Sequence, residues 1–365
     1  MKIGMITDHL RGGGKERRLV ELAKALSKKD GFDITVLMID GVGKEDCAYK
    51  DIYDFPIKFY YLGELPKLKK VDALRLFVKG EDFDIIHFWA PPIYAYMLLP
   101  IWMGGNVPII SSSITSARKQ GGNKFWLIKR SYFIFDKILS NSWQALRVNE
   151  VPNEKAVCIY NGFDPQRSIV KRTPKQVRDQ MGITSRYIVS MAAEYSYRKD
   201  WPMFVDAAKL LVDQDEVTFL AMGGGDASEY VARIGDNSIA IEHIRFVGRI
   251  TDVESVFNAS DVVVHASCIE GVSNSIMEGM AVGKPIVSTK GPFVGTAEIV
   301  EDGENGFLVE YHDYKAFAEK ISLLLSDDSL REKMGRRSKQ IVCERFSIDQ
   351  MTNAFIEVYR SCLKQ

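Results

Sequence analysis

The chain has 365 residues, 46% apolar and 26% charged, enough for two domains with a core each. Its 48 basic and 48 acidic side chains balance, so no global field gathers nucleic acid. Five scattered cysteines without CxxC spacing exclude a disulfide framework and a structural zinc site, and point to a reducing cytosol. The start, MKIGMITDHLRGGG, has too short an apolar run for a signal peptide, and no stretch reaches the roughly 18 apolar residues of a spanning helix. A cytoplasmic protein is expected, at most resting on the inner face of the membrane.

Short Ile/Val-rich runs predict strands at 2–6, 33–37, 57–60, 85–88, 108–112, 137–140 and 156–159. Helical periodicity is clearest at 15–26, 94–102 and 125–133. Residues 165–184 are polar and basic, which predicts a linker. The alternation then resumes, with strands at 187–191, 217–222, 244–246, 262–265 and 285–287 and helices at 201–211, 227–235, 253–257 and 275–282. The tail reads as helices at 314–325, 330–342 and 348–362. Strands alternating with helices give parallel sheets covered on both faces. The expected fold is α/β: two Rossmann-like, doubly wound domains, 1–164 and 185–347, facing across a cleft. Ligands of such sheets sit outside the C-terminal strand ends.

Five segments carry chemistry. DHLRGGGKERR at 8–18 puts Gly12, Gly13 and Gly14 between a strand and a helix, where a backbone approaches an anion closely; a flexible turn is the alternative. The pattern is not GxGxxG, which disfavours a nicotinamide site. NGFD at 161–164 is a turn signal. In SMAAEYSYRKDW, Arg198 and Lys199 would open a helix against its dipole, which calls for a phosphate partner or leaves a solvated pair. MGGGD at 222–226 repeats the strand–glycine–helix order, with Asp226 as a ligand or a cap.

The fifth segment, HASCIEGVSNSIMEGMAVGKPIVST at 265–289, decides the reading. Glu270 lies in a loop after a strand, Gly271 turns the backbone, and Val272, Ser273 and Asn274 offer amides at a helix start, where a diphosphate can be held without metal. Glu278 lies on that helix among apolar neighbours, a costly place for an unpaired carboxylate.

With these segments in order, the sequence resembles the retaining two-Rossmann (GT-B) glycosyltransferases of family four over its whole length. The E-x7-E pair Glu270 and Glu278 carries the likeness most strongly. GGGKERRLVELAKAL, NGFD, RKDW and EIVEDGENGFLV (298–309) fall in the same register. The resemblance implies that Glu270 contacts the donor sugar, Glu278 the ribose and Lys199 the phosphates. It further implies that Gly12–Gly14 approach the diphosphate and acceptor, that Gly271 and the 272–274 amides complete the pocket, and that the helix from about 348 to the end packs back on the first domain. Two positions depart from the family pattern. Ala193-Glu194 stands where an arginine is usual, so a second cation must be Arg198, Arg249 or absent. Ser111–Thr115 replaces a histidine-bearing loop. Of the histidines, only His9 and His87 could reach the cleft from the first domain.

The resemblance implies transfer of a hexose or N-acetylhexosamine from a nucleoside diphosphate sugar to a saccharide or lipid-linked saccharide, with retention and without metal or cofactor. A UDP-sugar is the expected donor, with GDP- and ADP-sugars as alternatives. Residues 1–164 lean basic, 24 against 19 acidic. Basic-aromatic stretches at 58–79 and 123–137 fit an anionic membrane surface as well as ordinary amphipathic helices. The rival readings are another nucleotide-sugar enzyme on this fold and a non-catalytic nucleotide-sugar-binding subunit.

Overall fold

Two separate parallel sheets organise the chain. The computed structural model describes residues 1–105, 107–117, 122–164, 168–212 and 216–363. It divides into one unit of Met1–Gly162 plus the chain from Ile348 onward, and a second of Phe163–Ser347.

The first unit has strands β1 (Lys2–Thr7), β2 (Asp33–Met38), β3 (Ile57–Tyr61), β4 (Ile85–Phe88), β5 (Ile109–Ser111), β6 (Lys137–Ser140) and β7 (Ala156–Cys158) in the order β3-β2-β1-β4-β5-β6-β7. Ile3 of β1 lies beside Ile34 on one side and Ile85 on the other. Alternate residues face opposite layers. Ile3 and Met5 therefore join one core with Leu19 and Phe355, while Ile6 joins the other with Leu74 and Ile128.

In the second unit, β8 (Tyr187–Ala192), β9 (Val217–Met222), β10 (Ile244–Gly248), β11 (Val262–His265), β12 (Ile286–Lys290) and β13 (Gly306–Glu310) run in the order β10-β9-β8-β11-β12-β13. Every pair in both sheets is parallel. Each sheet reverses its winding once, between β1 and β4 and between β8 and β11. Loops leaving those strands diverge there and open a crevice for ligands. All the segments singled out around Gly12, Lys199 and Glu270 leave one of these strands.

Several elements depart from the sequence expectation. The stretch read as a linker folds into the second unit: helix Pro174–Met181 starts with a Thr173/Gln176 capping box, and Val177 is fully buried. Its polar composition reflects one apolar contact per turn and a reciprocal cap; residues 165–167 lie outside the described residues. The helix expected at 94–102 is a 3-10 run, Pro92–Leu98, with a single α turn, Leu99–Trp102. Pro100 lacks the amide that a continuous α-helix would bond to Tyr96 O, whereas Pro92 stands at the first position, where no amide is needed. Helix Lys67–Glu81 lies in the first basic-aromatic stretch, as the amphipathic-helix reading of 58–79 has it, with Leu74 and Val78 buried. No helix among the described residues is long and apolar enough to cross a membrane, and the five cysteines are free.

Helix Ile348–Leu363 packs into the first unit through Met351, Phe355 and Tyr359. There Tyr359 Oη lies 2.7 Å from His87 Nδ1, and Ser112 Oγ lies 2.8 Å from His87 Nε2. Arg18 is buried beneath the same helix, its guanidinium 5.0 Å from the centre of the Phe355 ring. Burial pushes Arg18 down to about 10 and His87 well below the ordinary histidine range. His87 is thus a core residue, contrary to the expectation that it reaches a ligand. Both ring nitrogens are engaged inside the unit, on a side chain with no exposure.

Candidate functional site

The second unit brings two distant segments together because β8 and β11 are neighbours in the sheet. After β8 the chain makes a 3-10 turn, Tyr197–Lys199, and enters helix Trp201–Leu211 through Asp200. Asp200 takes a left-handed backbone, φ 32°, a conformation that costs a non-glycine residue about 1–2 kcal/mol. Three contacts offset the cost: its carboxylate accepts from Met203 N at 3.4 Å and from His312 N at 3.0 Å, and meets His312 Nδ1 at 2.7 Å. Trp201 is wholly buried and donates its indole N–H to Glu194 O at 2.9 Å. The turn carrying Lys199 is therefore anchored at both ends.

From the other side, the loop after β11 clasps this turn. Ser267 Oγ donates to Arg198 O at 2.9 Å, and Cys268 N donates to the same oxygen at 3.0 Å. Glu270 is pinned through its backbone, donating to Phe293 O at 2.9 Å and accepting from Gly295 N at 3.0 Å. The outcome is a direct ion pair between Lys199 Nζ and Glu270 Oε2. The other oxygen of Glu270 accepts from Gly271 N at 3.2 Å. Burial, then the Arg198 charge, push the Lys199 ammonium down to about 7, against the pull of Glu194 and Cys268.

Helix Asn274–Ala281 begins four residues after Glu270. Ser273 stands at its N-cap without a side-chain cap bond, its hydroxyl 3.0 Å from Ser275 Oγ. Val272, Ser273 and Glu278 are buried. Gly279 allows the close seat of this helix on the sheet, since a Cβ there would stand 2.8 Å from Val263 Cγ1. Lys199, Glu270, Gly271, Val272, Ser273 and Asn274 thus form one cluster at the reversal point of the sheet, with Glu278 one turn further along the helix.

Arg198 points elsewhere, to Glu194 at 3.0 Å on the surface. The substitution that places Glu194 in this loop also occupies the neighbouring cation. Arg249, after β10, lies against the glycine turn at Gly224. Sequence reasoning named it only as an alternative cation, because β10 and β9 had first to be known as neighbours.

In the first unit, the loop after β1 is satisfied from within. Gly12 takes φ 122°, a region that favours glycine, and Tyr49 Oη bridges Gly13 N and O at 3.1 and 2.8 Å. Arg11 forks onto Asp46 at 2.8–3.1 Å. Asp8, His9 and Glu16 have metal-ligand spacing, but Lys15 Nζ already stands 2.6 Å from Asp8 and 3.1 Å from Glu16. Burial would raise the Asp8 carboxyl; Lys15 and His9 outweigh it and hold it below the ordinary range. The cation in this cluster is a lysine, which leaves little reason for a metal there.

Comparison with known proteins agrees with this arrangement. The family described as Glycosyltransferase Family 4 matches residues 12–167, and that described as Glycosyl transferases group 1 matches residues 185–327. The chain is similar to the lipopolysaccharide core biosynthesis glycosyltransferase LpsE of Rhizobium meliloti, 28% identical over 353 residues, 96% of each chain. It is 30% identical to the putative glycosyltransferase EpsD of Bacillus subtilis over 47% of this chain and 45% of that relative. In fold it is similar to Anabaena Alr3699/HepE, solved with UDP and glucose, at TM-score 0.80 and 21% identity over 99% of this chain and all of that one.

Proposed function

Because the chain is a GT-B glycosyltransferase related to the group 1 and family 4 enzymes, we propose that it moves a hexose or N-acetylhexosamine from a UDP-sugar to a saccharide hydroxyl in surface polysaccharide or glycoconjugate synthesis. The observation that carries this reading is the Lys199–Glu270 pair beside the start of helix Asn274–Ala281. A diphosphate leaving group needs positive charge and amide donors in a site held rigid before reaction. Lys199 supplies the charge, and the amides of Gly271, Val272, Ser273 and Asn274 supply donors along the helix dipole. Glu270 then faces the sugar, and Glu278 accepts from the ribose hydroxyls. The acceptor hydroxyl attacks the anomeric carbon on the face that the diphosphate leaves, which takes up its proton, so configuration is retained. Gly12, Gly13 and Gly14 shape the approach of the acceptor and diphosphate through backbone atoms; Arg198 reaches the phosphates only by releasing Glu194.

The names of the relatives fit this role, among them a capsular polysaccharide glycosyltransferase of Staphylococcus aureus and a phosphatidyl-myo-inositol mannosyltransferase of Mycobacterium leprae. The test is nucleoside diphosphate release from a panel of UDP-, GDP- and ADP-sugars, with and without EDTA, against Glu270→Ala. Release from UDP-sugars, insensitive to EDTA and lost in the variant, supports the reading. Tight donor binding without release, even with lipid and oligosaccharide extracts present, favours a non-catalytic subunit.

The first unit supports a membrane-linked acceptor. Trp102 and Phe133, both about half exposed, meet edge to face at 4.8 Å. Arg130 lies 4.1 Å over exposed Trp126, and Met103 is 77% exposed. Aromatic and cationic side chains of this kind partition into anionic bilayer interfaces. Flotation with phosphatidylglycerol vesicles but not phosphatidylcholine vesicles, reduced by Trp126→Ser with Phe133→Ser, supports this contact; equal recovery with both lipids counts against it.

A further inference from the structure

One buried titratable group beside the site has no part in the reading so far. His265 ends β11, is 1% exposed, and places Nε2 3.4 Å from Glu270 Oε2, the same oxygen that Lys199 meets. The approach is too poorly aligned for a hydrogen bond, and Nε2 has no hydrogen-bond partner among the described residues. Nδ1 lies 3.4 Å from Ser275 Oγ, which in turn lies 3.0 Å from Ser273 Oγ at the helix start. A buried ring nitrogen without a partner is destabilising, because it has lost water without gaining a bond. A side chain of this bulk, fixed in a strand, is poorly placed to turn and relieve it.

We infer that His265 is a positioning residue, which takes over the Glu270 carboxylate when Lys199 turns to the diphosphate of the donor. The inference rests on the donor reading above. The cation meant for the phosphates is paired with the carboxylate meant for the sugar. A diphosphate competes for Lys199, and a carboxylate abandoned in a largely buried site must find another donor or take up a proton. Gly271 N holds only Oε1. For Oε2, the near donor is His265 Nε2–H, the tautomer that results when the Ser275 hydroxyl donates to Nδ1. Burial, then the Lys199 charge, keep the ring well below the ordinary histidine range, hence neutral. A neutral ring donates its Nε2–H to the Glu270 carboxylate and keeps the proton. The Ser273–Ser275–His265–Glu270 line also links the phosphate end of the site to the sugar end, so that filling one orients the other.

Among the described residues, Glu270 and Lys199 are the charged groups found near the ring, and the experiment separates its role from theirs. His265→Leu and His265→Gln in the full chain are compared with wild type for donor affinity, kcat of nucleotide release, the pH profile of kcat and thermal stability. Loss of a hydrogen bond to a charged group lowers kcat about 10- to 100-fold in the leucine variant. Donor affinity falls as well, by up to about tenfold, because the bond to Glu270 forms only after the donor has drawn Lys199 away. The acid limb of the profile moves to higher pH, since the carboxylate has lost the donor that favours its charged form. Glutamine, which keeps a donor, restores about tenfold of the loss and returns the limb toward wild type.

A leucine variant with wild-type kcat and an unmoved limb overturns the role of His265 alone. So does an equal loss in both variants without a shift of the limb, which marks a packing residue. Wild-type protein that neither binds nor consumes a nucleotide sugar defeats the donor reading and this inference with it.

Discussion

Each unit carries one histidine on its fourth strand, the strand that borders the reversal of the sheet, and the two have opposite fates. His87 on β4 engages Tyr359 and Ser112 through its two nitrogens. His265 on β11 leaves Nε2 without a hydrogen-bond partner among the described residues, 3.4 Å from a carboxylate oxygen. Burial keeps both neutral. Fully satisfied, a buried imidazole fastens a helix to a sheet; left half satisfied next to an ion pair, it holds a donor in reserve. The loops around them follow the same division. In the first unit Arg11, Lys15 and Tyr49 are all engaged by partners inside the unit. The second unit instead places its lysine and glutamate from separate segments onto each other.

The sharpest way to break that contrast is Glu270→Ala, expected to cost on the order of 10²–10³-fold in kcat of transfer, measured by nucleotide release. A loss below tenfold would show that the reacting centre lies elsewhere. Lys199→Met follows, with about 100-fold weaker kcat/KM. The lysine also gives a pH signature. Its charged form binds the diphosphate, so UDP-sugar affinity should fall as pH rises through about 7 in the free protein, with the midpoint moved upward in the complex. Calorimetry across pH 6–9 that finds flat affinity would remove Lys199 from the phosphates.

On the structural side, His87→Ala leaves Tyr359 and Ser112 without their shared partner and should cost about 2–4 kcal/mol of stability with kcat changed less than about twofold. Denaturant unfolding reads the first and nucleotide release the second; a large kcat loss would erase the distinction drawn between the two histidines. Each histidine binds its proton in the unfolded chain near the ordinary 6.5 but far lower when folded. Their contribution to stability is therefore complete above that pH and declines as pH falls below it. The smallest effect is expected at Arg198→Ala, within about threefold in kcat/KM, because its guanidinium already serves Glu194 on the surface.

Much of this was legible without coordinates. The alternation of strand and helix predicted the parallel sheets, and the E-x7-E segment marked the loop and helix that hold Glu270 and Glu278. Less visible was helix Pro174–Met181, whose polar turn hid a single buried valine and a capping box. For 58–79 the sequence left a membrane surface and an amphipathic helix open; helix Lys67–Glu81 is the second, and its many lysines are what kept the first in play.

The sequence by itself determined which residues have the right chemistry, since charge, glycine placement and strand patterning are local properties written along the chain. Partnership was decided by the tertiary structure alone. Seventy-one positions separate Lys199 from Glu270, and only the adjacency of β8 and β11 makes them one ion pair. The same holds for His87, which pattern alone left open as a ligand and which Tyr359, 272 positions away, fixes in the core. Whether a polar group is spent or available depends on which atoms reach it through space, and spacing in sequence does not encode that distance.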